Sequence, residues 1–321
     1  MATFVTWNAT VSRHWTGVNS SNHTVNASLG IPEAVETFVL PCLLSFTVVL
    51  GIVGNSISLW HITRLKKVSS ATDVLLFNLT IANVFVILAS IFILIHLIPA
   101  CKFMKSLLDA QLLIGLVNLY GSPLFMSCIA IDQYIAVAHP IRSHAWRRPR
   151  YYVALSIVAW LAVLSLSLPV FHFDRNAADE NISSEDTIIT RKSWQIFMLF
   201  CEVISFVIPV LVLLLCYALT IKKLIKVGAG KESMELMKTK VRRNILGILA
   251  LLLLCFAPFH IAELYFMSAV LIDPLNRMSA FYPCHVKIYT WALTSFSAFL
   301  SPMLYVFRSQ NFQWRARCCV V

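Results

Sequence analysis

The sequence predicts an all-α membrane protein, a seven-transmembrane helix bundle followed by a short C-terminal amphipathic helix. Three observations lead there. Hydrophobic residues make up 59% of the 321 and charged residues only 13%, against about 45–50% and about 25% in soluble domains. Seven apolar stretches reach the about 20 residues that a hydrocarbon core of roughly 30 Å demands of a helix. The charges between these stretches are distributed unevenly, which is how membrane topology is written into a chain.

The stretches run over 38–63, 71–99, 106–138, 150–171, 194–226, 240–271 and 285–307. Several exceed a perpendicular span, so tilt or extension beyond the bilayer is expected. The third carries Asp109, Gln111, Asn118, Ser122 and Asp132, which places it inside the bundle. The sixth, "ILGILALLLLCFAPFHIAELYFMSAVLI", holds one carboxylate, Glu263, in 28 residues, and that excludes a soluble helical core. No alternating ten-residue pattern supports a β-barrel. Inverted repeats and a charged midplane pathway are also missing, which argues against a transporter.

Orientation follows from charge. The first, third and fifth connections and the tail hold 18 of the 26 Lys and Arg with only Asp73, Asp132, Glu232 and Glu235, a balance of +14. The other side balances at −3. The net +11 is thus a topology signal that calls for no nucleic-acid partner. The N-terminus is expected outside and the C-terminus in the cytoplasm of a multi-pass plasma-membrane protein. Acceptor sequons agree, at Asn8, Asn19, Asn22 and Asn26 in the first 30 residues and at Asn181 in the loop 172–193. Asn78-Leu-Thr also matches but lies within the second span, beyond the reach of glycosyl transfer. Residues 1–30 lack the apolar core of a cleavable signal, so the first span is expected to serve as its own.

The expected organisation is a disordered, glycosylated extracellular segment over 1–35, the bundle over 36–307, and a cytoplasmic helix and tail over 308–321. In that tail, Phe312 and Trp314 lie among Arg308, Arg315 and Arg317, a mixture suited to the inner leaflet of membrane lipid. Cys318 and Cys319 are candidate palmitoylation sites, with two unmodified thiols as the alternative. Cys128, Cys201, Cys216 and Cys255 read as packing residues. Cys42, Cys101 and Cys284 lie near the oxidising face. A Cys42–Cys284 bond is possible there, and spacing does not choose it over Cys101–Cys284.

Landmarks on six of the seven helices, in order, resemble those of the rhodopsin-like (class A) G-protein-coupled receptors. They are Gly54-Asn55, Asp132-Gln133-Tyr134, Trp160, Pro209 with Tyr217, "CFAPFH" over 255–260, and Ser301-Pro302-Met-Leu-Tyr305. "VNLYGS" (117–122) and "CFAPFH" look like the nucleotide, lipid and protease-activated branch. The resemblance implies a receptor, not an enzyme. It would transmit an extracellular signal of unknown ligand, or basal activity, to a heterotrimeric G protein as helix six moves outward.

The implied switch comprises Asp132, Gln133, Tyr134, Tyr217, Phe256, Pro258, Pro302 and Tyr305. Pro209, Pro258 and Pro302 each remove a backbone donor and leave a hinge, and Phe256 is an apolar plug beside one of them. The implied pocket includes Tyr120, His260, Glu263, Lys287 and Trp291. Lys287 could anchor an anion, whereas Glu263 would repel one unless the two form a structural pair. No cofactor or metal is expected, since His260 with Glu263 repeats no ligand spacing.

The departures matter equally. The family usually has arginine where Gln133 stands, so Asp132 is expected to have no adjacent cation to hold and the resting ion pair to be absent. Asn83, Asn118, Ser122 and Ser301 would line the family's sodium pocket, and all are neutral. A cation in low dielectric needs an anion, so no functional sodium site is expected. Leu108 replaces the usual helix-three cysteine, and 172–193 contains none. The alternative to a coupling receptor is an atypical or decoy one that scavenges ligand, recruits arrestin or modulates a partner receptor.

Overall fold

The computed structural model describes residues 38–65, 70–96, 98, 105–139, 143, 146–176, 185–226, 232–272, 286 and 289–308. Every regular element in them is helical, as lipid requires when each backbone group must be satisfied within its own segment. α1 is Leu40–Trp60, extended by a π-turn His61–Leu65. α2 is Ala71–His96, α3 Lys105–Ala138 and α4 Pro149–Asn176. α5 joins Glu185–Glu202, a π-turn Val203–Val207 and Ile208–Lys226. α6 joins Glu232–Leu251, a π-turn Leu252–Phe256 and Ala257–Ile272. α7 runs over 289–295, turns at Phe296 and continues as Ser297–Arg308.

Among the described residues, six helices are long and apolar enough to cross a membrane by themselves, and the broken seventh completes the bundle. α3, 34 residues and so roughly 50 Å long, is its axis and packs on α2, α4, α5 and α6. In its apolar window 83% of residues are buried, against 28% in α1 and in α4, so the polar third span does lie inside. α7 packs on α1, α2 and α6, which closes the ring.

Local chemistry sets the helix ends and breaks. α1 begins at Pro41, where the missing N–H costs nothing. α2 opens with a reciprocal box: Ser70 Oγ accepts the Asp73 N–H (3.2 Å) while Asp73 Oδ2 accepts the Ser70 N–H (3.1 Å). Pro209 and Pro258 each follow a π-turn. There Ile208 N–H reaches back to Val203 O, and Ala257 N–H to Leu252 O, the five-residue step that defines a π-turn. Pro123 and Pro169 also sit inside helices, although neither was expected as a break.

The freed carbonyl at Pro302 is answered across helices. Proline cannot donate to Ala298 O, and Asn55 Nδ2 of α1 does so instead at 2.8 Å. The close approach needs Gly54, because a Cβ there would lie 3.0 Å from the Pro302 ring. The segments 1–35 and 309–321, with their sequons and Cys318 and Cys319, lie outside the described residues, as do Asn181, Cys101 and Cys284. Cys42 is exposed with a free thiol, and the bond considered between it and Cys284 falls on a residue outside the described ones.

Candidate functional site

Three polar clusters lie along the buried axis of this apolar molecule. The first is at the end of the bundle where the basic connections gather. Asp132, on the last turns of α3, is 0% exposed, and a lone carboxylate there would be costly. It is not alone. Arg147 Nε donates to Asp132 Oδ1 at 2.6 Å and Arg147 Nη2 to Oδ2 at 2.9 Å, a bidentate pair. Nη2 also donates to Thr72 Oγ1 on α2 (2.8 Å), and the Thr72 hydroxyl donates to Asp132 Oδ2 (2.5 Å).

The expectation that Asp132 lacks a cation, and that the resting ion pair is absent, is therefore wrong. The arginine missing at 133 is supplied from the α3–α4 connection, 15 residues after the acid. Backbone steps carry the chain there: His139 N–H to Ile135 O, Ser143 N–H to His139 O, and Arg147 N–H to Ser143 O, at 2.8–3.0 Å. Edge-on rings follow the same path, Tyr134 to His139 (6.4 Å) and His139 to Trp146 (6.1 Å). The hydrogen bond with Asp132 raises the Arg147 pKa above its ordinary value against an opposing effect of burial, so the guanidinium stays charged. Gln133 adds no charge, and its buried Oε1 has no hydrogen-bond partner among the described residues. Tyr217 is buried on α5. The side chain of Tyr305 lies outside the described residues.

The second cluster is mid-bundle and neutral throughout. Asn118 Nδ2 donates to Ala82 O (2.7 Å) and Ser122 Oγ (3.1 Å), and Asn83 Nδ2 donates to Asn55 Oδ1 (3.3 Å). Ser301 is buried nearby on α7, and its Oγ, those of Ser295 and Ser297, and Asn83 Oδ1 have no partner among the described residues. The structure thus links Asn83 to α1 and Asn118 to Ser122, with no carboxylate in these bonds. Asn78 belongs to a separate node. It accepts from Trp160 Nε1 (2.7 Å) and donates to Ser156 Oγ (2.9 Å), work incompatible with a glycan.

The third cluster joins the opposite halves of α5 and α6. His260 Nδ1 contacts Glu202 Oε1, and both residues are buried. The imidazole stacks on Phe206 (centroids 3.7 Å, 12°) and meets Phe259 edge-on at 5.5 Å. Glu263, nearly one turn beyond, is buried as well. Tyr120 is buried on α3, and Trp291 of α7 fills the space over Gly115, where a Cβ would meet its ring at 3.1 Å. Lys287 lies outside the described residues. Among those residues no group of three His, Cys, Asp or Glu is placed to hold a metal.

Sequence reasoning missed Arg147 and Glu202. Glu202 had a usable signal, being the only carboxylate in the stretch 194–226. Arg147 had none, because Arg142, Arg148 and Arg150 surround it with equal claims. Phe256 is wholly buried at the end of the α6 π-turn, two residues before Pro258.

The comparisons agree with this geometry. The model of the family "7 transmembrane receptor (rhodopsin family)" matches residues 54–305. Somatostatin receptor type 4 of Rattus norvegicus is 25% identical over 98% of this chain and 82% of its own length. Somatostatin receptor type 2 of Mus musculus is 28% identical over 92% and 79%. A purinoceptor of type 4 from Rattus norvegicus is 29% identical over 88% and 79%. These relatives are receptors and not enzymes. With its ordered landmarks on a bundle of packed helices and its match across that bundle, the chain belongs to the rhodopsin-like (class A) family of G-protein-coupled receptors, multi-pass proteins of the plasma membrane.

Proposed function

We propose that the chain is a signalling receptor whose α6 swings at the Phe256–Pro258 hinge to admit a Gα subunit at the basic end. One observation carries this reading. His260, the α6 member of the buried Glu202–His260 contact, stands one helical turn beyond Phe256. A ligand that disturbs the α5–α6 tie thus acts on the same face as the plug and its π-turn, a site type that marks moving helices. The sequons and the +14 side support a pocket end outside and an Asp132 end in the cytosol. Tyr120, Glu263, Trp291 and Lys287 belong to the ligand-facing half. Two buried carboxylates around one imidazole disfavour an anion there and favour a group that donates hydrogen bonds. The membrane-facing tail, with Cys318 and Cys319, anchors to lipid.

A second reading, an atypical receptor that recruits arrestin, scavenges ligand or modulates another receptor, is favoured by the uncharged Gln133. Energy transfer between labelled Gα and Gβγ, across a panel of Gα chimeras in cells expressing the chain, separates the two. Dissociation with at least one Gα supports coupling. Silence across the panel, with receptor counted at the surface, hands the protein to the second reading.

A further inference from the structure

We propose that the Trp291 indole is a built-in occupant of the ligand-facing half: seated on Gly115, it fills the space between α3 and α7 and leaves recognition of a ligand to the α5–α6 side. Its access from outside the cell rests on the preceding reading of which end of the bundle faces outward.

Gly115 sits well inside the 34-residue α3, where glycine weakens a helix relative to alanine. Its backbone is ordinary helix, so the position uses the missing side chain and not the conformational freedom. A Cβ on Gly115 would lie 3.1 Å from Trp291 Cζ2 and 3.8 Å from its Nε1. Gly121, the other glycine of α3, differs: a Cβ there would stand at an ordinary 3.7 Å from the Trp160 ring. Alanine fits at 121, whereas at 115 the indole would have to give way.

Trp291 is 8% exposed and belongs to the main core with Leu112 and Leu116 of α3. Its neighbour Ala292 packs with Leu40 and Leu44 of α1 instead. α7 thus turns consecutive side chains to opposite sides and sends the large one to the middle of the bundle. The Trp291 carbonyl accepts the Thr294 hydroxyl at 2.6 Å, which ties the seat to the stretch just before the turn at Phe296.

A ligand entering between α3 and α7 therefore meets an apolar ring where α3 offers no side chain. Polar recognition falls to Glu202, His260 and Glu263, buried on α5 and α6. With the ring removed, the seat is an apolar space that takes a flat aromatic of indole's size, as apolar cavities take rings that match them.

Reactivity of a thiol at 115 tests this on the full chain in intact cells. The probe is a membrane-impermeant, positively charged thiosulfonate added outside, and labelling is counted per surface receptor. Trp291→Ala alone gives the background from the native cysteines. Gly115→Cys with Trp291 in place should stay at background, because the ring need give only a few tenths of an ångström. Gly115→Cys combined with Trp291→Ala should label about tenfold faster or more, since a thiol reacts only where reagent reaches it. Added indole should slow that labelling again. Trp291→Leu, shorter but still apolar, should give a rate between the two and keeps the test open if the alanine variant fails to reach the surface.

Equal labelling with and without Trp291, no labelling in either even after permeabilisation, or no protection by indole overturns the proposal. Labelling that needs Trp291 removed but appears only in permeabilised cells upholds the seat and overturns the outward orientation instead.

Discussion

Asp132 and Glu202 are both buried carboxylates in an apolar bundle, and each meets a nitrogen base, yet the two ends of the molecule solve the problem differently. At the basic end the partner is a guanidinium that cannot lose its charge, locked by two parallel bonds and seconded by Thr72. Since its pKa is raised above the ordinary value, the guanidinium keeps its charge throughout the neutral range. At the opposite end the partner is an imidazole, which donates or accepts and works with or without charge, held by one contact and a stacked Phe206. One end is built as a fixed clasp and the other as an adjustable one. A receptor that reads a variable ligand and presents a defined surface to its partner needs that division.

The comparison ranks the consequences of mutation. Arg147→Ala should be the most damaging, since it strands Asp132. Loss of one member of a buried pair costs about 3 kcal/mol, visible as a lower thermal midpoint of purified receptor and reduced surface expression. Gly54→Leu, between the two ends, should cost about 2 kcal/mol by forcing α1 off Pro302, and a thermal melt will show it. Glu202→Gln should cost about 1 kcal/mol or less, because an amide still bonds His260. If it equals Arg147→Ala in the same melt, the two ends do not differ as argued. The smallest effect belongs to the neutral middle. Replacing potassium by sodium should leave the thermal midpoint unshifted in the native chain, and Asn83→Asp should introduce a sodium-dependent rise. A sodium shift in the native chain would show that the Asn83, Asn118, Ser122 and Ser301 cluster holds a cation after all.

These contrasts also mark what the sequence can disclose. Lipid forces each backbone group to bond within its own helix, so hydrophobic length alone located the helices. The second span, expected over 71–99, runs as Ala71–His96. Pro209 and Pro258 announced hinges because a missing N–H leaves a trace in any helix, but the π-turns that absorb them depend on packing and went unseen. Asn118 and Ser122, which bond each other, were put together by the resemblance, as lining of a sodium pocket. The two clasps were not, since each joins residues from different elements. Asp132 was read with its neighbour Gln133 and judged unpaired, when a connection with no helical periodicity delivers Arg147 back to it. A polar residue in a membrane segment signals that a partner exists. Only the fold says which.

A double-mutant cycle on the thermal unfolding of purified receptor, through Asp132→Asn, Arg147→Gln and the two combined, tests the clasp most directly. The account predicts strong non-additivity, with the double variant no less stable than Arg147→Gln alone and a coupling of about 1–3 kcal/mol. Losses that simply add would mean that Arg147 does not hold Asp132, and the account of that end of the bundle would fail.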